Sequence, residues 1–334
     1  MAFIAPPRPP TAIPLSIALP HKPSAALSCT LVPATAPTHN TTLVIFLNGL
    51  GLPQAAWWPT ITRLGAQTSH PPLLTYDRYG QGMTTDKDPQ DSDDNPNPLG
   101  QRHDLVSVVH DLHALVSAVA SHASFPPLCP DAPLKLVFVA NSVGCPIARH
   151  YAATYPGTVA ALLLLDSYMT DTDFISLYPD PDAPGFDEGL LPAGITAADL
   201  RIARTEMGRL FHPRVLNAEG FWRGNMSAIL PRADLPRLLA HGPGGPGPYV
   251  TVVGHDWETF AEDGLRTLGI AKAVTMEYTN PSWGSYNEGL LKVTDQARAK
   301  GMIADGAGHF VQKDRPDVVA VELDRLLKLV QEAS

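Results

Sequence analysis

The sequence predicts an α/β protein in which a mainly parallel sheet carries helices on both faces. Uninterrupted apolar runs such as Leu43–Leu47 and Leu134–Ala140 are typical of strands buried on both faces, and such strands are usually parallel. Between them lie stretches with apolar residues at helical spacing, of which Asp104–Ser121 is the clearest. Strands alternating with helices indicate a doubly wound sheet, whose functional loops follow the carboxyl ends of the strands.

The other elements are predicted from the same two patterns. Near the N-terminus, Ala12–Leu19 and Ala26–Pro33 have the character of edge strands. Further buried strands are predicted at Leu73–Tyr76, Val159–Leu165, Tyr249–Val253 and Gly301–Ala304. Further helices are predicted from Ser142 to about Tyr155, at Ala197–Leu210 and Glu258–Leu268, near Tyr286–Ala297, and at Pro316–Gln331.

The segment from Tyr168 to about Pro246 has a different pattern. Pro and Gly are frequent there, its helices are short, and no buried strand is predicted. We therefore expect a core formed by residues 1–167 and 247–334, with residues 168–246 inserted as a cap; we refer to 168–246 as the cap segment.

Length and charge exclude several classes of protein. The chain has 334 residues, of which 44% are hydrophobic and 17% charged, which is typical of a globular domain with an elaboration. The formal net charge of −9 argues against nucleic acid or an anionic membrane as a partner, because both attract clustered Lys and Arg. The apolar runs are too short to span a bilayer. We expect a small hydrophobic molecule as the partner; the oligomeric state stays open.

The cysteines and the N-terminus indicate the compartment. Cys29, Cys129 and Cys145 form neither a disulfide framework nor a metal-ligand spacing, so a reducing compartment is expected. Prolines interrupt the first residues before an apolar signal region can form. These observations predict a cytoplasmic protein with no cofactor and no metal.

The first candidate for chemistry is Ser142. It lies in Ala140–Gly144 (ANSVG), directly between a predicted strand and a predicted helix. This small-x-Ser-x-small pattern fits a nucleophile elbow, a turn so tight that only small residues fit two positions either side of the nucleophile. The amides that begin the following helix favour a developing anion. We therefore predict that Ser142 is a nucleophile.

Two glycine-rich loops offer the groups that such a nucleophile needs. His309 lies in Asp305–Phe310 (DGAGHF), just after the last predicted strand, and could reach over the sheet to remove the Ser142 proton. Asn48–Gly51 (NGLG) follows the strand at Leu43–Leu47. Its turn can direct a backbone N–H at a carbonyl oxygen, so the amides of Leu50 and Val143 are predicted to form an oxyanion hole.

The order of these motifs resembles the α/β-hydrolase fold superfamily, of the kind with a cap after the sixth strand. The resemblance extends from about Leu43 to the C-terminus and implies a sheet of the eight-stranded type. Asn48-Gly49 stands where the family usually has His-Gly, and Asp77–Gly82 matches its Asp-Arg-x-Gly-x-Gly turn, which is mostly structural. Gly306–Pro316 (GAGHFVQKDRP) is similar to the loop that carries the family's catalytic histidine.

The resemblance implies a carboxylate that orients His309, but several residues could provide it. The family's acid usually follows the seventh strand in a Gly-x-x-Asp pattern, and Asp256 fits if Val253 occupies the glycine position. Asp166, at the end of the sixth strand, is an alternative because some relatives carry the acid there. Glu258 is a third candidate. We take Asp256 as the predicted acid.

Together these residues predict a serine hydrolase that cleaves a carboxylic ester or lactone of a small to medium hydrophobic substrate through an acyl-enzyme. One alternative is cleavage of a C–C bond in a β-diketone or polyketide-like substrate, and another is a binding protein or cyclase without hydrolytic activity. Relatives that hydrolyse epoxides or haloalkanes carry Asp where Ser142 stands, which disfavours those reactions. Aromatic candidates for the pocket or cap are Trp57, Trp58, Tyr168, Trp222 and Trp257.

Overall fold

The computed structural model describes residues 8–9, 11–35, 41–91, 103–126, 133–238 and 246–333. Its strands are β1 (Ile13–Leu19), β2 (Lys22–Val32), β3 (Thr42–Leu47), β4 (Leu73–Tyr76), β5 (Lys135–Ser142), β6 (Val159–Ser167), β7 (Tyr249–His255) and β8 (Ala299–Ala304). Within the described ranges these strands form one sheet of order β1-β2-β4-β3-β5-β6-β7-β8. Strands β3 to β8 pair in parallel, whereas β2 is antiparallel to both β1 and β4. The predicted mainly parallel α/β sheet is confirmed.

Helices connect the parallel strands. They are α1 (Trp58–Gln67), α2 (Leu105–Ala120), α3 (Gly144–Thr154), α4 (Ala197–Phe211), α5 (Met226–Ile229), α6 (Trp257–Leu268), α7 (Lys272–Val274), α8 (Asn280–Leu290), α9 (Val311–Asp314) and α10 (Pro316–Glu332). Short 3₁₀ turns occur at Gln54–Trp57, Glu188–Leu190, Leu291–Val293 and Gln296–Arg298. In the part of the chain that the structure describes, no helix is both long and apolar enough to cross a membrane.

Strand β3 shows why its sequence is apolar throughout. Leu43, Ile45 and Leu47 pack into the core on one face of the sheet, where α2 and α3 lie. Val44 and Phe46 point to the opposite face and pack into a second core with α1 and α10. Because both faces are covered, every position along the strand favours an apolar side chain.

The cap segment follows β6 and precedes β7 in the chain. Among its described residues, 168–238 and 246, it contains α4 and α5 and no strand. Helix α4 begins with a capping box, in which Thr196 Oγ1 accepts from the Asp199 backbone N–H and the Asp199 carboxylate accepts from the Thr196 backbone N–H. The helices of the cap segment fit the predicted elaboration, and the division of the chain into core and cap stays a prediction.

One helix differs from its predicted position. The prediction placed helical structure near Tyr286–Ala297, whereas α8 begins at Asn280 and follows directly on a π-helical stretch, Thr275–Thr279. Pro281 lies in the first turn of α8 and has no backbone N–H to donate to the preceding π-helical turn. The helical stretch therefore continues through the sequence Thr279-Asn280-Pro281-Ser282, which by itself indicates a loop.

Candidate active site

Ser142 lies at the turn between β5 and α3, in a left-handed backbone conformation with φ of 54°. A Cβ on Gly144 would lie 2.4 Å from the carbonyl oxygen of Leu47, so only glycine fits there. Ala140, the small residue on the other side of the turn, is fully buried. Non-glycine residues rarely adopt positive φ unless the surroundings enforce it, and such residues cluster at active sites. The geometry is that of a nucleophile elbow.

His309 is hydrogen-bonded to Asp166, at the end of the neighbouring strand β6. Its Nδ1 donates to Asp166 Oδ2 at 2.5 Å. Asp166 is completely buried and also has a positive φ, 42°. Strands β5 and β6 pair so that Ser142 lies opposite Ser167, the residue after Asp166. The elbow and this carboxylate therefore lie at the same edge of the sheet.

The side chain of Asn141 connects the elbow to the His309 loop. Its Nδ2 donates to the carbonyl oxygen of Leu165 at 3.1 Å and to that of His309 at 3.0 Å. Its Oδ1 accepts from Gln312 Nε2 at 3.1 Å. Asn141 is fully buried, so these hydrogen bonds form away from water and hold the loop against the residue before the predicted nucleophile. No sequence motif predicts this role for Asn141.

Asp256, the predicted acid, makes different contacts. Its Oδ1 accepts from the backbone N–H of Thr259 at 2.8 Å, which makes Asp256 the N-cap of α6. Backbone hydrogen bonds, of which the one from Thr259 has the largest effect, lower the pKa of Asp256. Glu258 pairs with Lys272 at the surface. The Asp256 carboxylate therefore caps a helix, and the carboxylate hydrogen-bonded to His309 Nδ1 is that of Asp166.

The loop after β3 packs directly on Ser142. A Cβ on Gly49 would lie 3.3 Å from Ser142 Cβ, so the glycine permits this approach. The Gly49 carbonyl oxygen accepts from Arg78 Nη2 at 3.1 Å and Gln81 Nε2 at 3.0 Å. In a trans peptide the C=O and N–H point in opposite directions, so the N–H of Leu50 is directed away from Arg78 and Gln81.

Two further positions are Val143, the second predicted oxyanion group, and Asn48, which stands where the family usually has histidine. Val143 follows Ser142 directly and is the N-cap residue of α3. The Asn48 side chain is buried, donates to the Tyr76 carbonyl oxygen at 2.8 Å and accepts from Trp57 Nε1 at 2.7 Å. Asn48 therefore makes buried side-chain hydrogen bonds at the position where the resemblance implies a histidine.

Glu219 of the cap segment joins the network around this loop. Its Oε2 accepts from Arg78 Nε at 2.9 Å, and its Oε1 accepts from Gln81 Nε2 at 2.7 Å. The same Oε1 accepts from the Gly51 backbone N–H at 2.5 Å. Arg78 also donates to the Asn48 carbonyl oxygen at 2.9 Å. The Asp-Arg-x-Gly-x-Gly turn thus fixes the loop after β3 and links it to the cap segment.

A second histidine, which the sequence analysis missed, also contacts Asp166. His255, the last residue of β7, donates from Nδ1 to Asp166 Oδ1 at 2.7 Å. Burial raises the pKa of Asp166, but the attraction of His255 and hydrogen bonds from His255 and His309 outweigh it and lower this pKa to about 2. The available signal was the position of His255 at the end of a central strand, directly before Asp256.

The aromatic candidates have different environments. Trp57 is fully buried in the core, whereas Trp257 is 39% exposed. Tyr168 is buried and donates from its hydroxyl to the Phe211 carbonyl oxygen at 3.0 Å. The tryptophan that packs on His309 is Trp283 of α8, with ring centroids 5.5 Å apart.

Comparisons with known proteins agree with this architecture. No curated protein matches the chain in sequence. Among solved structures, Lip1 from Acinetobacter baumannii AYE, assigned as a lipase, is 15% identical with a TM-score of 0.55, over 97% of this chain and 93% of that chain. A laboratory-evolved variant of potato epoxide hydrolase is 14% identical with a TM-score of 0.54, over 95% and 99%.

A thermophilic esterase from Thermogutta terrifontis is 13% identical with a TM-score of 0.51, over 95% of this chain and 99% of that chain. At these identities the likenesses concern the fold alone. The sequence model described as the Alpha/beta hydrolase family matches residues 44–322. The match covers most of the chain, including the elbow and both glycine-rich loops. The chain therefore belongs to the alpha/beta hydrolase family.

Proposed function

We propose that the protein is a serine hydrolase of carboxylic esters or lactones, with Ser142 as nucleophile, His309 as base and Asp166 as the acid that orients the base. The observation that carries this proposal is the 2.5 Å hydrogen bond from His309 Nδ1 to Asp166 Oδ2, at the sheet edge that also carries the Ser142 elbow. A carboxylate on Nδ1 leaves Nε2 as the nitrogen that can accept a proton.

The reaction follows from these positions. His309 Nε2 removes the Ser142 proton as Oγ forms a bond to the acyl carbon, and the amides of Leu50 and Val143 stabilise the oxyanion. The C–O bond to the leaving alcohol breaks as His309 returns the proton to it, which leaves an acyl-enzyme. His309 then takes a proton from water, the hydroxide oxygen bonds to the acyl carbon, and the proton returns to Ser142 as the acid is released.

The apolar surroundings of His309 support a hydrophobic substrate. Trp283 and Phe310 pack on the His309 ring at centroid distances of 5.5 and 5.1 Å. Aromatic contacts continue from Trp283 to Phe174 at 5.9 Å and from Phe174 to Tyr168 at 4.9 Å. Apolar walls with few polar groups are typical of pockets for small organic molecules. The serine at 142 favours esters over epoxides, since the resemblance implies an aspartate at this position in enzymes that open epoxides.

The test combines a covalent probe with a panel of p-nitrophenyl esters and aryl lactones. Ser142→Ala should abolish labelling by a fluorophosphonate and lower kcat/KM on the order of 10⁴-fold or more. Ser117→Ala is the matched control, because Ser117 is exposed on α2. A folded wild-type protein that is not labelled, or Ser142→Ala with undiminished turnover, would contradict the proposal.

A further inference from the structure

The two oxygens of Asp166 are shared between two histidines. Oδ2 accepts from His309, whereas Oδ1 accepts from His255 Nδ1 at 2.7 Å and from the His255 backbone N–H at 3.3 Å. Asp166 is completely buried and His255 is 2% exposed. Because both residues are buried, water screens their charges only weakly. The protonation state of His255 therefore sets the net charge of the Asp166–His255 pair next to His309.

Asn280 defines the protonation of the far side of the His255 ring. Asn280 Nδ2 donates to the Trp257 carbonyl oxygen at 3.1 Å, and a carbonyl oxygen can only accept. The amide therefore presents Oδ1 to His255 Nε2, at 3.1 Å. Since an amide oxygen also only accepts, Nε2 must carry a hydrogen. On the near side an ionised Asp166 requires a hydrogen on Nδ1. An imidazole with hydrogens on both nitrogens is a cation.

The groups around the ring agree with a cation. Among the described residues, the carboxylates that act on it are Asp166 at the end of β6 and Asp256 at the start of α6, while His309 lies on the far side of Asp166. The uncharged groups that pack on it are Phe260 from α6, with Asn280 and Trp283 from α8. Burial lowers the pKa of His255, but the attraction of Asp166 and the hydrogen bonds with Asp166 and Asn280 outweigh it and raise this pKa.

We propose that His255 is a protonated positioning residue, whose imidazolium holds Asp166 in place for His309 and neutralises its charge. This inference rests on the proposed function, in which Asp166 orients His309. An unpaired aspartate stabilises the imidazolium form of the base with its full charge. The Asp166–His255 pair has no net charge, so it stabilises protonated His309 less. Ester hydrolysis therefore extends to lower pH than it would with Asp166 alone.

His255→Asn tests the charge while keeping a hydrogen-bond donor for Asp166. The Asn amide nitrogen takes the place of Nδ1, and the positive charge is lost. Neutral His309 is the active form, so the acid limb of the kcat/KM profile should move to higher pH by about one unit. His113→Asn, on α2 and stacked on Tyr155, should leave the limb unchanged. An acid limb that stays in place, or moves to lower pH, would overturn the proposal.

A second measurement uses the wild-type protein alone and requires no substrate. Nuclear magnetic resonance of wild-type protein with isotopically labelled histidine should show both His255 nitrogens bearing hydrogens at about pH 6.5, where an ordinary histidine is half protonated. The signal is assigned through contacts with the rings of Phe260 and Trp283. A His255 ring with one unprotonated nitrogen would reject the proposal. Doubly protonated His255 in a protein that hydrolyses no ester would instead reject the proposed function alone.

Discussion

Ser142 and Asp166 both have left-handed backbones, with φ of 54° and 42°, and they lie at the ends of adjacent strands. A non-glycine residue in this region costs about 1 to 3 kcal/mol, so two of them close together require compensation. Hydrogen bonds from His255 and His309 to the Asp166 carboxylate provide it on one side. On the other side, the Asn141 amide donates to the carbonyl oxygens of Leu165 in β6 and of His309 in the loop after β8. The two strained residues and the side chains that hydrogen-bond around them therefore form one cluster at this edge of the sheet.

A pair of isosteric substitutions separates the two candidate acids. Asp166→Asn should lower kcat/KM about 10⁴-fold, because an amide can donate to His309 Nδ1 and so favour the wrong tautomer. Asp256→Asn should leave kcat/KM nearly unchanged, since Asn is as good an N-cap as Asp. Steady-state kinetics on one chromogenic ester measures both. Equal losses, or a larger loss from Asp256→Asn, would refute the assignment of Asp166.

The choice between these aspartates shows where sequence reasoning was limited. Ser142 and His309 could be placed at the sheet edge from local patterns, because the motif and the adjoining strand are contiguous in the chain. Asp166 and Asp256 both follow predicted central strands, so position alone could not separate them. An aspartate just before a helix, with its side chain able to reach the N–H of Thr259, is an N-cap signal that favours a structural role for Asp256. For His255 the only local signal was its place at the end of a strand, and nothing in the nearby sequence linked it to Asp166.

Among the elements, strands were easier to predict than helices. Strand β3 is apolar throughout because both of its faces are buried, and that run marks its bounds well. The helical stretch from Lys272 to Val293 combines α7, a π-helix, α8 and a 3₁₀ turn, across Thr, Asn, Pro and Ser residues that favour other structures. Packing of Trp283 and Tyr286 into the core overrides those local preferences.

The loop after β3 depends on a second element, the turn that carries Arg78. Arg78 donates to the carbonyl oxygens of Asn48 and Gly49 and forms a buried ion pair with Glu219. A lysine preserves the charge but cannot make these branched contacts. Arg78→Lys should therefore misplace the Leu50 amide and lower kcat about tenfold to a hundredfold, because an oxyanion donor contributes mainly in the transition state.

The measurement for Arg78→Lys is kcat and KM on the same ester, together with the thermal midpoint. The matched control is Arg201→Lys on α4, whose ion pair with Asp182 is exposed and should contribute little. An unchanged kcat in a folded Arg78→Lys protein would show that the hydrogen bonds of the guanidinium do not set the position of the loop.

At the scale of the whole molecule, the parallel sheet collects residues from distant parts of the chain. Three neighbouring strands, β5, β6 and β7, carry Ser142, Asp166 and His255 at their carboxyl ends, and His309 follows β8. Carboxyl ends of parallel strands share one edge, so this order brings them together. The same arrangement buries the Asp166–His255 pair. The attraction within this pair exists only in the folded protein, so it contributes to the free energy of unfolding.

The pH dependence of unfolding should report this pair. The pKa of Asp166 falls from its ordinary value of 3.8 to about 2 in the folded protein, so its contribution is complete above about pH 4 and is lost as the pH falls toward 2. For His255 the pKa is raised, so its contribution is complete below its ordinary value of 6.5 and is lost as the pH rises through the higher value. The stabilisation of the pair is therefore greatest between about pH 4 and 6.5.

Urea unfolding of wild type and Asp166→Asn, followed by tryptophan fluorescence, tests the acid side of this window. The difference in free energy of unfolding between the two proteins should shrink by roughly 2 kcal/mol between about pH 5 and 2, because only the wild type loses a stabilising carboxylate there. Asp324→Asn on α10 serves as control, since its carboxylate pairs with Lys328 near the surface and should give a small, nearly constant difference. A wild-type advantage that stays constant or grows as the pH falls would mean that Asp166 is not held as a carboxylate in the folded protein.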